Sequence, residues 1–125
     1  MSNAMPTDVE AVVTYLRPED GGRSQPAFSS YRPQFHYDGR DWDASHVYPD
    51  VEQVAPGETA RVFLSFLSPE SHVGKLHVGS PFLLREGRRI IGYGAITKLV
   101  GLEESARRAR ATMPPNTSFE RTREG

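Results

Sequence analysis

Residues 81–100 read PFLLREGRRIIGYGAITKLV, two apolar runs separated by the turn Glu86-Gly87-Arg88. The runs 81–85 and 89–100 are predicted to be antiparallel strands joined by a local hairpin. Gly92 and Gly94 lie two residues apart in the second run, so they share one face of that strand. Glycines in this arrangement permit the strong bending that a barrel corner needs. The segment therefore predicts a sharply curved antiparallel sheet.

Four earlier segments also have the character of strands. Residues 9–16 are β-branched and apolar, and 44–48 are expected to form a short strand. Residues 32–37 alternate, as do residues 60–67, with a period of two that is typical of a half-buried strand. The apolar positions of these two alternating segments are Phe35, Tyr37, Val62, Leu64 and Phe66, whereas Gln34 and His36 occupy the opposite face of the earlier one.

Six strands in residues 9–101 predict an all-β fold, a six-stranded antiparallel closed β-barrel. Residues 38–43 are expected to be an acidic loop between strands. Residues 102–113 favour a short helix, since two glutamates come early and three arginines late, which suits the helix dipole.

The domain organisation follows from these boundaries. Residues 1–4 look like a cloning scar before a native start at Met5. Residues 5–101 are expected to form the barrel, and residues 102–125 a C-terminal helix and a flexible tail.

Composition and charge exclude several classes of protein. The 125 residues carry 15 Lys and Arg against 16 Asp and Glu, a net charge of −1, which argues against a strongly basic nucleic-acid binder. Cysteine is absent, so thiol catalysis, thiolate zinc sites and iron–sulfur clusters are excluded. No apolar run approaches the roughly 18 residues of a membrane span. We therefore expect a cytoplasmic protein without membrane attachment.

Motifs for catalysis, metals and cofactors fail one by one. The four histidines have no metal-ligand spacing, and no G-x-S-x-G sequence is present. Gly74-Lys75 is followed by Leu76 and lacks the first glycine of a phosphate loop. We accordingly expect no enzyme activity, no catalytic residues, no cofactor and no metal site.

Three segments, in order, carry a family resemblance. They are residues 21–26 (GGRSQP) with 31–35 (YRPQF), residues 56–58 (PGE) before a long strand, and residues 84–101 (LREGRRIIGYGAITKLVG). They resemble the C-terminal β-barrel domain of elongation factor Tu, known as domain 3. That resemblance implies a six-stranded antiparallel barrel without catalysis. In the family this barrel packs on the other domains, contacts the T-stem of aminoacyl-tRNA and offers a surface to the exchange factor.

The resemblance and the charge pattern together give candidate binding residues. Residues 85–98 have a net charge of +3, from four basic residues and one acidic residue, and residues 38–58 a net charge of −5, from six acidic residues and one basic residue. Asp38, Asp41 and Asp43 stand where the family has a basic stretch, which weakens the expectation of RNA binding. For Arg85, Arg89 and Lys98 of the closing segment, a structural role, with an Arg-Glu pair that pins the hairpin, is preferred to RNA contact. The candidate binding residues are Arg32, Gln34, Arg85, Arg88, Arg89 and Lys98.

Three functions follow, in order of preference. The first is a non-catalytic binding or interaction module with an elongation-factor-Tu-like barrel and no GTPase domain, with a protein partner. The second is an RNA or tRNA binder that uses the basic closing segment. The third is a small-molecule-binding barrel with a pocket around Trp42 and the acidic loop.

Self-association is expected as well. A lone barrel of this family must cover the wall that partner domains cover elsewhere, and Phe63 and Tyr93 are candidates for an exposed apolar patch. We therefore predict a homodimer or larger homo-oligomer. Leu102, Ala106, Ala109 and Met113 recur at helical spacing, so the helix docks on its own barrel or on a neighbour's. The tail after Met113 resembles the ends of proteins translated through gene-cassette recombination sites.

Overall fold

Antiparallel strands and one short C-terminal helix make up residues 6–111, the part of the chain that this computed structural model describes. The predicted scar at residues 1–4 and the predicted tail after Met113 lie outside the described residues. The elements are β1 (Val9–Tyr15), β2 (Ala27–Phe28), β3 (Gln34–Tyr37), β4 (Arg40–Trp42), β5 (Ala44–Val47), β6 (Gln53–Val54), β7 (Thr59–Phe66), β8 (Pro81–Glu86), β9 (Arg89–Leu99) and α1 (Leu102–Ala111), with short 3₁₀ turns at Pro18–Asp20 and Pro69–Ser71.

Seven of these strands form one curled antiparallel sheet in the order β4-β3-β8-β9-β1-β7-β5, and β2 pairs with β6. The two end strands of the sheet, β4 and β5, are consecutive in the chain and separated by Asp43 alone. Residues 40–47 therefore pair with β3 through their first half and with β7 through their second. Because this bent segment meets both ends of the curl, the sheet wraps around a single core.

The six predicted strands are all present, and the all-β, barrel-like fold is confirmed. The prediction of a loop over residues 38–43 is wrong, because β4 lies inside it. Asp38 and Gly39 both have positive φ, 54° and 75°, as the two central residues of a tight type I′ hairpin require. Asp-Gly between alternating residues is a strong hairpin signal, so the sequence did contain the evidence for β4.

Alternation along the strands builds the core. In β1, Val9, Ala11, Val13 and Tyr15 are buried while the residues between them are half-buried or exposed. Phe35 lies near the middle, with its ring centroid 4.3 Å from that of Phe82 and 5.1 Å from that of Phe66. The predicted inward faces of residues 32–37 and 60–67 are thus confirmed.

The long strand β9 contains two irregularities. Its pairing skips Ile91 opposite β8 and Thr97 opposite β1, so each is an extra residue at a β-bulge. Between the bulges, Gly92 and Gly94 face the interior, and a Cβ on either would meet a carbonyl oxygen of β1 at under 3.0 Å. The glycines therefore allow β9 to pass close to its neighbours, and the bulges add to its curvature.

Helix α1 docks on its own barrel, beside the 3₁₀ turn Pro69–Ser71. Leu102 and Ala106 are buried, as their spacing predicts, and Ala109 is half-buried. The Asp8 carbonyl accepts from the N–H groups of Val100 and Gly101, which fixes the start of the helix against β1. Residues 6–111 include no helix that is long and apolar enough to cross a membrane.

Candidate interaction surface

The six candidate binding residues do not form one basic patch. Gln34 and Arg85 lie opposite each other in the β3–β8 ladder, and Arg88 and Arg89 lie at the β8–β9 turn. Lys98 lies near the other end of β9, nine residues from Arg89, which corresponds to roughly 30 Å at the rise of a strand. Arg32 lies beside a small cavity of about 20 Å³ next to β5, which is also lined by Asp43, the hydrogen-bond partner of Gln34.

Carboxylates offset the charge of Arg85. Its side chain is 21% exposed, and its Nη1 lies 3.5 Å from Asp41 Oδ1 and 3.1 Å from His36 Nδ1. Asp41 Oδ1 is also 2.8 Å from His36 Nδ1. Gln34 donates from Nε2 to Asp43 Oδ1 at 3.2 Å. Two of the three acidic residues that weaken RNA binding are therefore held by two of the candidate binding residues.

A second group of polar side chains meets at Glu86, and we call it the Glu86 clasp: Arg23, Tyr31, Glu86 and Arg89. The carboxylate of Glu86 accepts from Tyr31 Oη and from Arg89 Nη2 at 3.0 Å, and it forms an ion pair with Arg23, whose Nε lies 3.0 Å from Glu86 Oε2. The Arg23 guanidinium also lies 4.0 Å from the centre of the Tyr31 ring.

The pKa shifts within the clasp follow from these contacts. Burial works to raise the pKa of Glu86, but the Tyr31 hydroxyl and the arginines outweigh it and hold that pKa below its ordinary value. Burial and the Glu86 carboxylate raise the pKa of the Tyr31 phenol. The lowered pKa keeps Glu86 ionised for its ion pairs, and the raised pKa keeps the Tyr31 hydroxyl protonated as a donor to Glu86.

The clasp explains why these residues stand where they do. Arg23 and Tyr31 come from residues 21–35, and Glu86 and Arg89 come from residues 84–101, two of the segments that carry the family resemblance. They join the long loop before β3 to the β8–β9 hairpin. The structure thus favours a structural role for Arg89, the Arg-Glu pair that pins the hairpin.

The region around Trp42 is packed rather than open. The Trp42 ring meets the His72 ring edge-on at 4.6 Å, and the Arg40 guanidinium lies 4.5 Å from the Trp42 ring centre. Tyr37 Oη and His72 Nδ1 are hydrogen-bonded at 2.6 Å. Burial lowers the pKa of His72 to about 4, and the same cause lowers that of His46 to about 4. Both histidines are neutral core residues at pH 7.

No group of three or more His, Cys, Asp or Glu side chains placed to hold a metal ion occurs in residues 6–111. Asp8 is the buried acid of this region of the chain, at 1% exposure. It lies beside helix α1, and its Oδ2 accepts from the N–H of Phe66 at 2.8 Å.

Two rows of outward-facing residues cross the strands β8, β9 and β1. Pro81, Ala95 and Val12 are partners in one row, and Leu83, Tyr93 and Thr14 are partners in the next. Tyr93 is 49% exposed and Val12 is 38% exposed. We call the five apolar members the apolar wall: Val12, Pro81, Leu83, Tyr93 and Ala95.

The apolar wall has a polar border on each side. Next to β8, a cleft of about 330 Å³ is lined by wall residues and by Asp38 and His36 of the β3–β4 hairpin. Beyond β1, Arg61 of β7 is the cross-strand partner of Val12. Asp50 and Glu10 hold the Arg61 guanidinium at 3.0 and 3.2 Å, and it lies 5.4 Å from the Phe63 ring centre. Phe63 is therefore shielded more than Tyr93.

Sequence reasoning identified Tyr93 but not its neighbours. Val12 and Leu83 appear in the sequence as ordinary strand positions, since only the pairing of strands shows which outward residues become adjacent. The partners Asp41 and His36 of Arg85 were missed for the same reason.

Residues 3–100 match the model of the elongation factor Tu C-terminal domain. That domain is a non-catalytic β-barrel that mediates interactions.

Proposed function

The chain belongs to the family of elongation factor Tu C-terminal domains, and from that premise we propose a non-catalytic interaction module that pairs with a second copy of itself through the apolar wall. The single observation that carries this proposal is the wall itself. Five apolar residues are contiguous on the outside of three strands, with Tyr93 half in solvent. Apolar patches of this kind on small proteins are commonly contact surfaces.

A second copy fits this surface because most of the charges around it are already paired within the chain. At the β7 border Asp50 and Glu10 hold Arg61, and beside β8 Asp41 lies against Arg85. In a two-fold dimer the same patch on both copies covers itself, so the two walls can be buried together. A net charge of −1 on each copy adds little repulsion.

The expected contribution of Tyr93 is large enough to test. A tyrosine buries about 150–250 Å² when covered, so the exposed half offers on the order of 100 Å². At roughly 25 cal/mol/Å², its burial contributes about 2 kcal/mol per copy.

Light scattering coupled to size exclusion tests the proposal. The wild-type chain is expected to have twice the 13.9 kDa mass of one copy, and Tyr93→Lys to have the single-copy mass. Phe28→Lys is the matched control, because Phe28 is 47% exposed but lies on β2, which pairs with β6 and not with the strands of the wall. A wild-type mass near 14 kDa at every concentration, or equal dissociation of both variants, contradicts the proposal.

The RNA-binding alternative has less support from the geometry. Carboxylates offset Arg85 and Arg89, and Lys98 lies far along β9 from the other candidate residues. A phosphate backbone needs several unpaired cations on one face.

The proposed module acts in the cytoplasm, where translation factors work.

A further inference from the structure

A second site lies where helix α1 meets the end of β7, remote from the apolar wall. A cavity of about 280 Å³ opens there. Its floor is formed by buried residues, namely Asp8, Phe66 and Ser105, which are 1%, 1% and 9% exposed. Its sides and rim are formed by Pro6, Leu67, Pro69, Arg108 and Ala109.

The floor contains two buried polar atoms without a hydrogen-bond partner in residues 6–111, Asp8 Oδ1 and Ser105 Oγ. The other carboxylate oxygen, Asp8 Oδ2, accepts from the N–H of Phe66 at 2.8 Å, which holds the carboxyl group in place. Ser105 lies close enough to lower the pKa of Asp8, but burial has the larger effect and raises it. An unpartnered buried acceptor is costly, so a donor that reaches it gains more than it would in water.

We propose that this cavity binds a small molecule with a primary ammonium group on a short apolar chain. The ammonium group donates to Asp8 Oδ1 and Ser105 Oγ, and the apolar chain lies against Phe66, Leu67 and Pro69. Rotation of the Ser105 hydroxymethyl group gives up only its weak contact with the Asp8 carboxyl group and opens the path from the cavity to Asp8 Oδ1. The inference is independent of the proposed function.

Arg108 stands at the rim and does not take the donor role that the proposal gives to the ligand. Its Nε lies 3.3 Å from Glu104 Oε2, and its side chain is 59% exposed. The buried oxygens on the floor of the cavity therefore stay available to a smaller donor. Arg108 also narrows the mouth of the cavity, so that it admits only thin chains.

The experiment is a titration of the full chain with n-butylammonium, followed by amide NMR shifts. We expect saturable shifts centred on Asp8, Leu67 and Ser105. Binding of n-butanol, which has the same chain without the charge, is expected to be at least tenfold weaker. Equal binding of n-butanol, or shifts spread over the surface, overturns the proposal.

Variants test the location without depending on Asp8 alone. Ala109→Leu fills the cavity and is expected to abolish binding, while Ala111→Leu, on an exposed position of the same helix, leaves it unchanged. Ser105→Ala is expected to weaken n-butylammonium binding at least threefold and n-butanol binding hardly at all. Unchanged binding by Ala109→Leu refutes the site. Running the titration on the Tyr93→Lys variant separates this result from that of the apolar wall.

Discussion

Gly94→Ala adds only one methyl group, yet it is expected to destabilise the fold strongly. A Cβ at Gly94 would lie 2.4 Å from the Val12 carbonyl oxygen and 2.6 Å from Phe82 Cζ. Ordinary contact begins at 3.4 Å, so the backbone of β1 must move by about 1.0 Å (3.4 − 2.4) and the ring by about 0.8 Å (3.4 − 2.6). Overpacking of this kind costs about 1–3 kcal/mol.

Thermal unfolding followed by circular dichroism measures this cost. A loss of about 2 kcal/mol lowers Tm by roughly 8–16 °C in a domain of this size. Gly39→Asn is the control, because Gly39 has φ 75° and nothing within 4 Å of a Cβ, and asparagine tolerates that conformation. The control is expected to change Tm by only a few degrees.

A double-mutant cycle separates the two contacts. Phe82→Leu removes the ring atoms that crowd Gly94 but leaves the Val12 carbonyl in place. In the Phe82→Leu background, Gly94→Ala is therefore expected to cost about 1 kcal/mol less than in the wild type. An unchanged Tm for Gly94→Ala, or a cycle without coupling, would refute the close approach of β9 to β1 and β8.

Three further predictions concern other parts of the chain. Glu86→Gln is expected to lower the free energy of unfolding by about 1–2 kcal/mol, since the carboxylate is the common partner of the Glu86 clasp. Because the pKa of Glu86 is lowered in the fold, its contribution is present above pH 4.5 and is lost as the pH falls below it. In urea unfolding, the stability of this variant should therefore decrease less steeply with acid than that of wild type, whereas Glu52→Gln should behave like wild type. His46 and His72 stay neutral in the fold down to about pH 4, whereas in the unfolded chain they take up protons below about pH 6.5. The free energy of unfolding should therefore decrease by about 1.4 kcal/mol for each histidine and each pH unit as the pH falls between those values. His72→Gln should halve that slope in melts from pH 7 to 4.5, and an unchanged slope contradicts the burial of His72. Filter binding with a tRNA mixture is expected to give no affinity tighter than about 10⁻⁴ M at physiological salt, and salt-steep micromolar binding would restore the RNA hypothesis.

The sheet was predictable because its signals are local. Period-two alternation places Phe35, Leu64 and Phe66 in the core without knowledge of any partner strand. The two glycines of β9 predicted bending of that strand, and the contact distances at Gly94 show that a side chain there would collide with β1 and β8. The helix also followed from local spacing, although its last two predicted positions lie outside the described residues.

The surface was not predictable in the same way, because it depends on which strands become neighbours. A charge count places Arg85, Arg89 and Lys98 in one basic segment. In the structure, alternation and bulges along the strands separate the three side chains, and carboxylate partners offset the charges of Arg85 and Arg89. The cavity at Asp8 needs three distant parts of the chain, the start of β1, the end of β7 and helix α1. The sequence next to Asp8 contains no motif that indicates such a site.

The shortness of the two end strands has a consequence for how copies of this chain can assemble. β4 and β5 are three and four residues long and each pairs on one side only, so the seven-stranded sheet offers only short runs of unpaired backbone groups at its ends within residues 6–111. Strand addition, the usual route from exposed sheet edges to fibres, therefore finds little template. The β2–β6 ribbon, with two residues per strand, offers less still. Contacts between copies are thus expected to run through side chains, which favours closed assemblies of fixed size over open-ended growth.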